Sequence, residues 1–299
     1  MASHAQAAAK RPPGPAEGER PCKFKICVAK KQAVVPKVPK VSQLRIGGPT
    51  GVPPPDVVTQ KLGDATIVVG VDIETADWAD RKKSTSQGQF GFFNFCHPDH
   101  LKQKIVQIGW AMGEARADSP LLECEELLVR PEGFVVADRA AAFHGISQEE
   151  ALAQGRPLRD VLTDFMGMVG RAEALGARLV VHHLEFDAGN IDQQLADAGL
   201  GHMRAQWAAF ARKGFCTMDP DVCAWAQRCM GRDVATEDNS ALALTLSLKA
   251  AVSLLLPKSD LICALQKNRH TAGADAQLHR LLYNALRALA RANQSAPSR

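Results

Sequence analysis

Thr66-Ile67-Val68-Val69-Gly70-Val71-Asp72-Ile73-Glu74 is the stretch on which the reading of this chain turns. Its first six residues are apolar and rich in β-branched side chains, the texture of a short strand buried in a sheet. Side chains of a strand alternate between faces, so Asp72 and Glu74 leave the same side about 7 Å apart, with Ile73 buried behind them. Two acids crowded at the end of a buried strand repel each other unless a cation lies between them. Hard oxygen donors of this kind suit Mg²⁺ or Mn²⁺.

Outward from that strand the pattern alternates between strand and helix. Residues 104–110, 124–129, 178–182 and 215–218 read as further strands. Leu158, Val161, Leu162, Phe165, Met166 and Val169 recur at helical spacing, and 187–198 reads as the helix after the fourth strand. A helix opens near Pro220, 244–256 is apolar and helix-prone, and Leu278, Leu281, Leu282, Ala285 and Leu289 mark a last amphipathic helix. Strands in a meander, followed by strands alternating with helices, predict an α/β domain with a mixed sheet flanked by helices.

Composition divides the chain. Residues 1–62 hold ten of the seventeen prolines, with eleven Lys/Arg against three Asp/Glu, a balance of +8. The remainder carries twenty-five basic and twenty-nine acidic residues, a balance of −4, so the net +4 belongs to the tail. Residues 1–62 are therefore expected to be a disordered Pro/Lys-rich tail, 63–292 the folded domain with an insertion at about 76–103, and 293–299 a disordered C-terminus. The tail is either a solvated segment or a basic arm that holds a nucleic-acid backbone or directs nuclear import.

No run of about 18 apolar residues is present, and the first residues lack the apolar core of a secretory signal. The Ala-rich start leaves an organellar transit peptide open. The eight cysteines are scattered without a paired framework, as in an intracellular protein with reduced thiols, cytoplasmic or nuclear. In the insertion, Phe90, Phe92, Phe93 and Phe95 either pack on the domain or stack on bases. Cys96, His97 and His100 lack the second half of a closed zinc site.

Three further residues complete the constellation. Asp187 follows the strand 178–182 at a helix start, where an acid also serves as a cap. His270 and Asp275, with four residues between them, stand at the entry to the last helix. Together these positions resemble the DEDDh branch of the DnaQ-like (RNase T-like, proofreading-type) 3′–5′ exonucleases of the ribonuclease H-like superfamily. Val71-Asp72-Ile73-Glu74-Thr75 is similar to that family's first motif, Glu185-Phe186-Asp187 to its second, and His270-Thr271-Ala272-Gly273-Ala274-Asp275-Ala276 to its third. Phe143-His144-Gly145-Ile146-Ser147 is similar to its His-Gly-Ile segment. His183 stands where the second motif usually carries Asn, and a long insertion follows Thr75 in place of a short turn.

The resemblance, which spans about 63–292, implies a ribonuclease H-like fold and hydrolysis of phosphodiesters at the 3′ end of single-stranded RNA or DNA. It implies two Mg²⁺ ions, replaceable by Mn²⁺, held by Asp72, Glu74, Asp187 and Asp275, with His270 as general base. It further implies that Ile73, Thr75, His183 and Phe186 contact the substrate. The competing class is a catalytically weak or inactive nucleic-acid-binding protein on the same fold, for which a full set of five chemical residues has no use.

Overall fold

The computed structural model describes residues 54–77, 103–116, 119–232 and 245–294. The decisive stretch forms β1 (Ile67–Thr75), the centre of a five-stranded sheet. On one side β1 pairs antiparallel with β2 (Ile105–Glu114), which pairs antiparallel with β3 (Leu121–Leu128). On the other it pairs parallel with β4 (Arg178–Val181), which pairs parallel with the short β5 (Phe215–Cys216). The order is β3-β2-β1-β4-β5, the mixed sheet that the strand pattern predicts.

The helices are α1 (Pro55–Leu62), α2 (Asp138–His144), α3 (Gln148–Gln154), α4 (Leu158–Ala174), α5 (Leu184–Asp197), α6 (Arg204–Arg212), α7 (Pro220–Cys229), α8 (Leu248–Leu255), α9 (Asp260–Lys267) and α10 (Ala272–Gln294). No described helix is long and apolar enough to cross a membrane.

The two faces of the sheet follow from alternation along β1. Val69, Val71 and Ile73 join Ile108, Trp110 and Met112 in a core against Val161, Leu162, Phe165 and Val169 of α4. Val68, Gly70, Asp72 and Glu74 leave from the other face, where Val68 packs with Tyr283 and Leu286 of α10. Here α10 comes down onto the strand backbones. A Cβ added at Gly70 would lie 1.9 Å from the Ala276 carbonyl oxygen, and one at Gly109 would lie 2.3 Å from the Ala272 carbonyl carbon. These two glycines allow a helix to rest on the sheet without side chains between, next to the two acids of β1.

Several boundaries differ from those expected. The tail predicted to extend to residue 62 ends earlier, since 55–62 form α1. The prolines that argue for disorder include Pro55 at the first helical position, where its missing N–H costs nothing. Val58 and Leu62, one turn apart, are buried, and Lys61 bonds Asp219 at 3.0 Å and Asp221 at 2.6 Å. The Leu62 carbonyl accepts from Arg178 and from the Tyr283 hydroxyl. At the other end α10 continues to Gln294, two residues past the expected domain limit. The helices α2, α3, α6 and α9 lie outside the predicted elements. Residues 1–53, almost all of the insertion (78–102) and 295–299 lie outside the described residues, and with them the expectations for the tail, the Phe-rich segment and Cys96, His97 and His100.

Gly109→Ala is expected to destabilise the protein by about 1–3 kcal/mol, the usual range for overpacking. Chemical denaturation of the two proteins measures it. An unchanged midpoint would mean that α10 is free to lift.

Candidate active site

Asp72 and Glu74 project from the end of β1 on the face that α10 covers, Glu74 being 8% exposed. Asp187 reaches the same place from the first turn of α5 but does not cap that helix. The N-cap position belongs to His183, and Asp187 Oδ1 instead accepts the backbone N–H of Ile73 at 3.2 Å, tying α5 to β1. Asp275 enters from the first turn of α10; its Oδ2 accepts the His270 N–H at 3.2 Å, and its buried Oδ1 has no hydrogen-bond partner. Ligand atoms of Glu74, His270 and Asp275 lie within 4.8 Å of one another.

Burial and mutual repulsion set the protonation of these acids. Burial raises the Asp72 carboxyl well above the usual range, and Asp187, Glu74, Asp275 and Glu126 raise it further. Glu74 is raised by burial, then by Asp275, Asp187 and Glu126. Burial raises Asp187, against the opposing pull of the Ile73 N–H. Burial lifts Asp275 to about 7, against the opposing pull of the His270 N–H and Arg269. Among the described residues, none of the four acids forms an ion pair with Lys or Arg; His279 lies 3.7 Å from Asp72 Oδ1 and His270 lies beside Glu74 and Asp275. Four crowded carboxylates, Glu74, Asp187 and Asp275 buried and Asp72 partly so, pair with no Lys or Arg side chain and include one orphaned oxygen, a set that fits a hard divalent ion.

His270 occupies a left-handed backbone conformation, φ 70°, and its ring lies 3.9 Å from that of Phe143 in α2. Burial, then Arg269 and His144, lower its pKa to about 4, so the imidazole is neutral near pH 7. His144 fastens the neighbouring loop: its Nε2 donates to the Thr75 carbonyl at 3.2 Å, and its Nδ1 accepts the Ile146 N–H at 3.1 Å.

The four residues expected to contact substrate are placed differently from one another. Ile73 buries its side chain in the core on the far face, and its N–H is engaged by Asp187. The Thr75 hydroxyl donates to the Asp77 carbonyl at 2.8 Å. His183 and Phe186 stand half-buried at the start of α5, rings 5.9 Å apart.

Sequence reasoning missed four residues at the site. Gln107 and Glu126, from β2 and β3, accept backbone N–H groups of α10. Fully buried His279 donates from Nδ1 to the Val71 carbonyl at 2.9 Å, which turns Nε2 toward Asp72. It follows Asp275 by four residues, so helical spacing alone places it on the same face. His182 lies beside it, rings stacked at 5.9 Å, with Nδ1 2.7 Å from Thr217 Oγ1.

No family model matches this chain, and no curated protein matches it in sequence. Solved structures do match. A product-bound structure of exonuclease I superimposes with a TM-score of 0.51 at 12% identity, over 77% of this chain and 46% of that one. A structure of exonuclease I described for its processivity gives 0.54 at 12%, over 76% and 43%. The zinc-bound form of the complex of Escherichia coli exonuclease I with single-stranded DNA gives 0.52 at 12%, over 75% and 41%. The fold is that of exonuclease I. It is the ribonuclease H-like arrangement of a mixed sheet between helices, and this chain spans less than half the length of these exonuclease I chains.

The titrations have opposite signs. Carboxyls raised in the folded state bind protons that the unfolded chain releases, so between about pH 4 and 7 they lose stability as pH rises. His270 and His279, both lowered to about 4, bind fewer protons folded than unfolded and gain stability as pH rises to about 6.5. Without divalent cations, Asp72→Asn should raise the melting midpoint at pH 8 by about 2–4 °C, roughly 1 kcal/mol for a chain of this size. The gain should shrink at pH 5, where the wild-type acids hold protons, and reverse when Mn²⁺ is added. Thermal scans with EDTA or Mn²⁺ at both pH values measure this; a variant less stable than wild type in EDTA at pH 8 would contradict carboxylate crowding.

Proposed function

We propose that the protein is a metal-dependent 3′–5′ exonuclease that hydrolyses the terminal phosphodiester of single-stranded DNA or RNA. The observation that carries this reading is the convergence of four mutually repelling carboxylates, three of them buried, from three distant segments beside a neutral imidazole. The likeness to exonuclease I, whose solved complexes include oligonucleotides and single-stranded DNA, supports it.

Asp72, Glu74, Asp187 and Asp275 would hold two Mg²⁺ ions, with Mn²⁺ able to substitute. Such a pair supplies electrostatic stabilisation of the attacking and leaving oxygens. The remaining work falls to the chain. His270, neutral near pH 7, accepts the proton of the attacking water, and its tilted ring contact with Phe143 holds the ring beside Glu74 and Asp275. His279 fixes Asp72 from behind through its bond to the preceding carbonyl. Half-buried His183 and Phe186 provide a polar and an aromatic surface at the start of α5 for a terminal nucleotide. The acidic balance of the folded body disfavours broad duplex binding by bulk charge, which suits a local site for a strand end.

An oligonucleotide labelled at its 5′ end should shorten progressively from the 3′ end with Mg²⁺ or Mn²⁺ and remain intact with EDTA. His270→Ala should reduce turnover about 10²–10⁴-fold, the usual range for a general base. Binding without cleavage in either metal would sink the enzyme reading and leave a nucleic-acid-binding protein.

The basic tail is assigned to backbone contact. Removing residues 1–53 while keeping α1 should flatten the dependence of oligonucleotide affinity on salt. Titrations at several salt concentrations decide it, and an unchanged slope removes the tail from binding.

A further inference from the structure

The start of α10 and the turn before it carry Asp275 and His270, which face β1 across the site, and three acceptors hold that start. Ala272 N–H donates to Gln107 Oε1 at 2.8 Å, Gly273 N–H to Glu126 Oε2 at 2.8 Å, and Ala274 N–H to Thr271 Oγ1 at 3.4 Å. A helix leaves its first N–H groups without intrahelical partners, and a local cap ordinarily supplies one acceptor. Thr271 is that cap here. The other two acceptors arrive from strands 165 and 147 residues away.

Register explains how they reach. Gln107 pairs with Glu74, and Glu126 pairs with Gly109, which itself lies opposite Asp72. Gln107 and Glu126 therefore leave the sheet on the face that carries the acids. Glu126 lies directly against the helix backbone: a Cβ added at Gly273 would be 2.7 Å from its Oε2. It also accepts from the Thr271 hydroxyl.

A carboxylate is a costly choice for this place. It adds negative charge beside Asp72 and Glu74, which a neutral acceptor would not do. The helix N-terminus offsets part of that cost. What the contact secures lies just upstream, where His270 holds its left-handed conformation and donates its N–H to Asp275. A non-glycine residue keeps such a conformation only where its surroundings over-determine it. With the backbone at 271–273 released, His270 would relax and Asp275 would lose its orientation.

We propose that Glu126 is a positioning residue of the active site, whose carboxylate holds the 271–273 backbone so that His270 and Asp275 stay opposed to Glu74. The kinetic part of this proposal rests on the nuclease reading; the cation-binding part does not.

Three variants separate contact from charge. Glu126→Gln keeps the acceptor and the reach while removing the charge; Glu126→Asp keeps the charge but falls short by one methylene; Glu126→Ala removes both. Each is read by Mn²⁺ affinity without substrate, from calorimetry, and by kcat and KM on a single-stranded oligonucleotide. Asp and Ala are expected to weaken Mn²⁺ binding and lower kcat about 10–100-fold, the usual effect of losing a partner that orients metal ligands. KM should stay near wild type, and Gln should restore most of both losses.

If Asp matches wild type, or Gln is as damaged as Ala, the contact is not what matters and the proposal is overturned. Should Ala fail to fold, the Asp and Gln pair decides alone. A wild type that cleaves nothing, with the ranking of Mn²⁺ affinities intact, refutes the nuclease reading and leaves Glu126 in its place. Cleavage by wild type with indistinguishable variants does the reverse.

Discussion

The direct contact between the backbone of α10 and the strands at Gly70 and Gly109 is what the site depends on. A side chain at either position would overlap the backbone of α10 and force the helix away. Asp275 would then leave Glu74, His279 would leave the Val71 carbonyl, and the N–H groups of Ala272 and Gly273 would leave Gln107 and Glu126. One steric fact thus sets three groups of polar contacts. Because β1 is paired on both sides, the surface on which α10 rests is itself held rigid.

That placement puts the protein under electrostatic load. Hydrophobic burial on both faces of the sheet carries Asp72, Glu74, Asp187 and Asp275 out of water whether or not the charges are matched. Repulsion among them is relieved by protons or by a cation, and these compete for the same oxygens. The site is therefore coupled to pH, and would be coupled to a bound divalent ion, before any substrate is present. Neutral His270 and His279 nearby add no positive charge that would compete with the cation.

Much of this could be read along the chain, and the missing parts share a cause. The buried strand at 67–75, the strand-to-helix junction at Asp187 and the spacing of His270 and Asp275 are local patterns, so periodicity and turn chemistry expose them. Glu126 and Gln107 act only through pairing register, which links β2, β3 and α10 across more than a hundred residues and leaves no local mark. Asp187 misleads in the same way: its position looks like a cap, yet its partner is the N–H of Ile73 on another element. Pro53-Pro54-Pro55 misleads by composition, since a run that signals disorder also presets the first turn of α1. His279 was accessible, because helical spacing from Asp275 predicts its face, but nothing in one sequence marks it as nearer to the acids than to the core.

The distance along the chain between β1 and α10 has a kinetic consequence. Asp72 and Asp275 meet only after a closure of about two hundred residues, whose chain-entropy cost comes before any gain from the contact. Until that closure the set of carboxylates is incomplete, and the unfolded chain offers a divalent ion no preformed site. A divalent ion held by these carboxylates would stabilise the native state and not the open chain, a lock against opening rather than a guide to collapse.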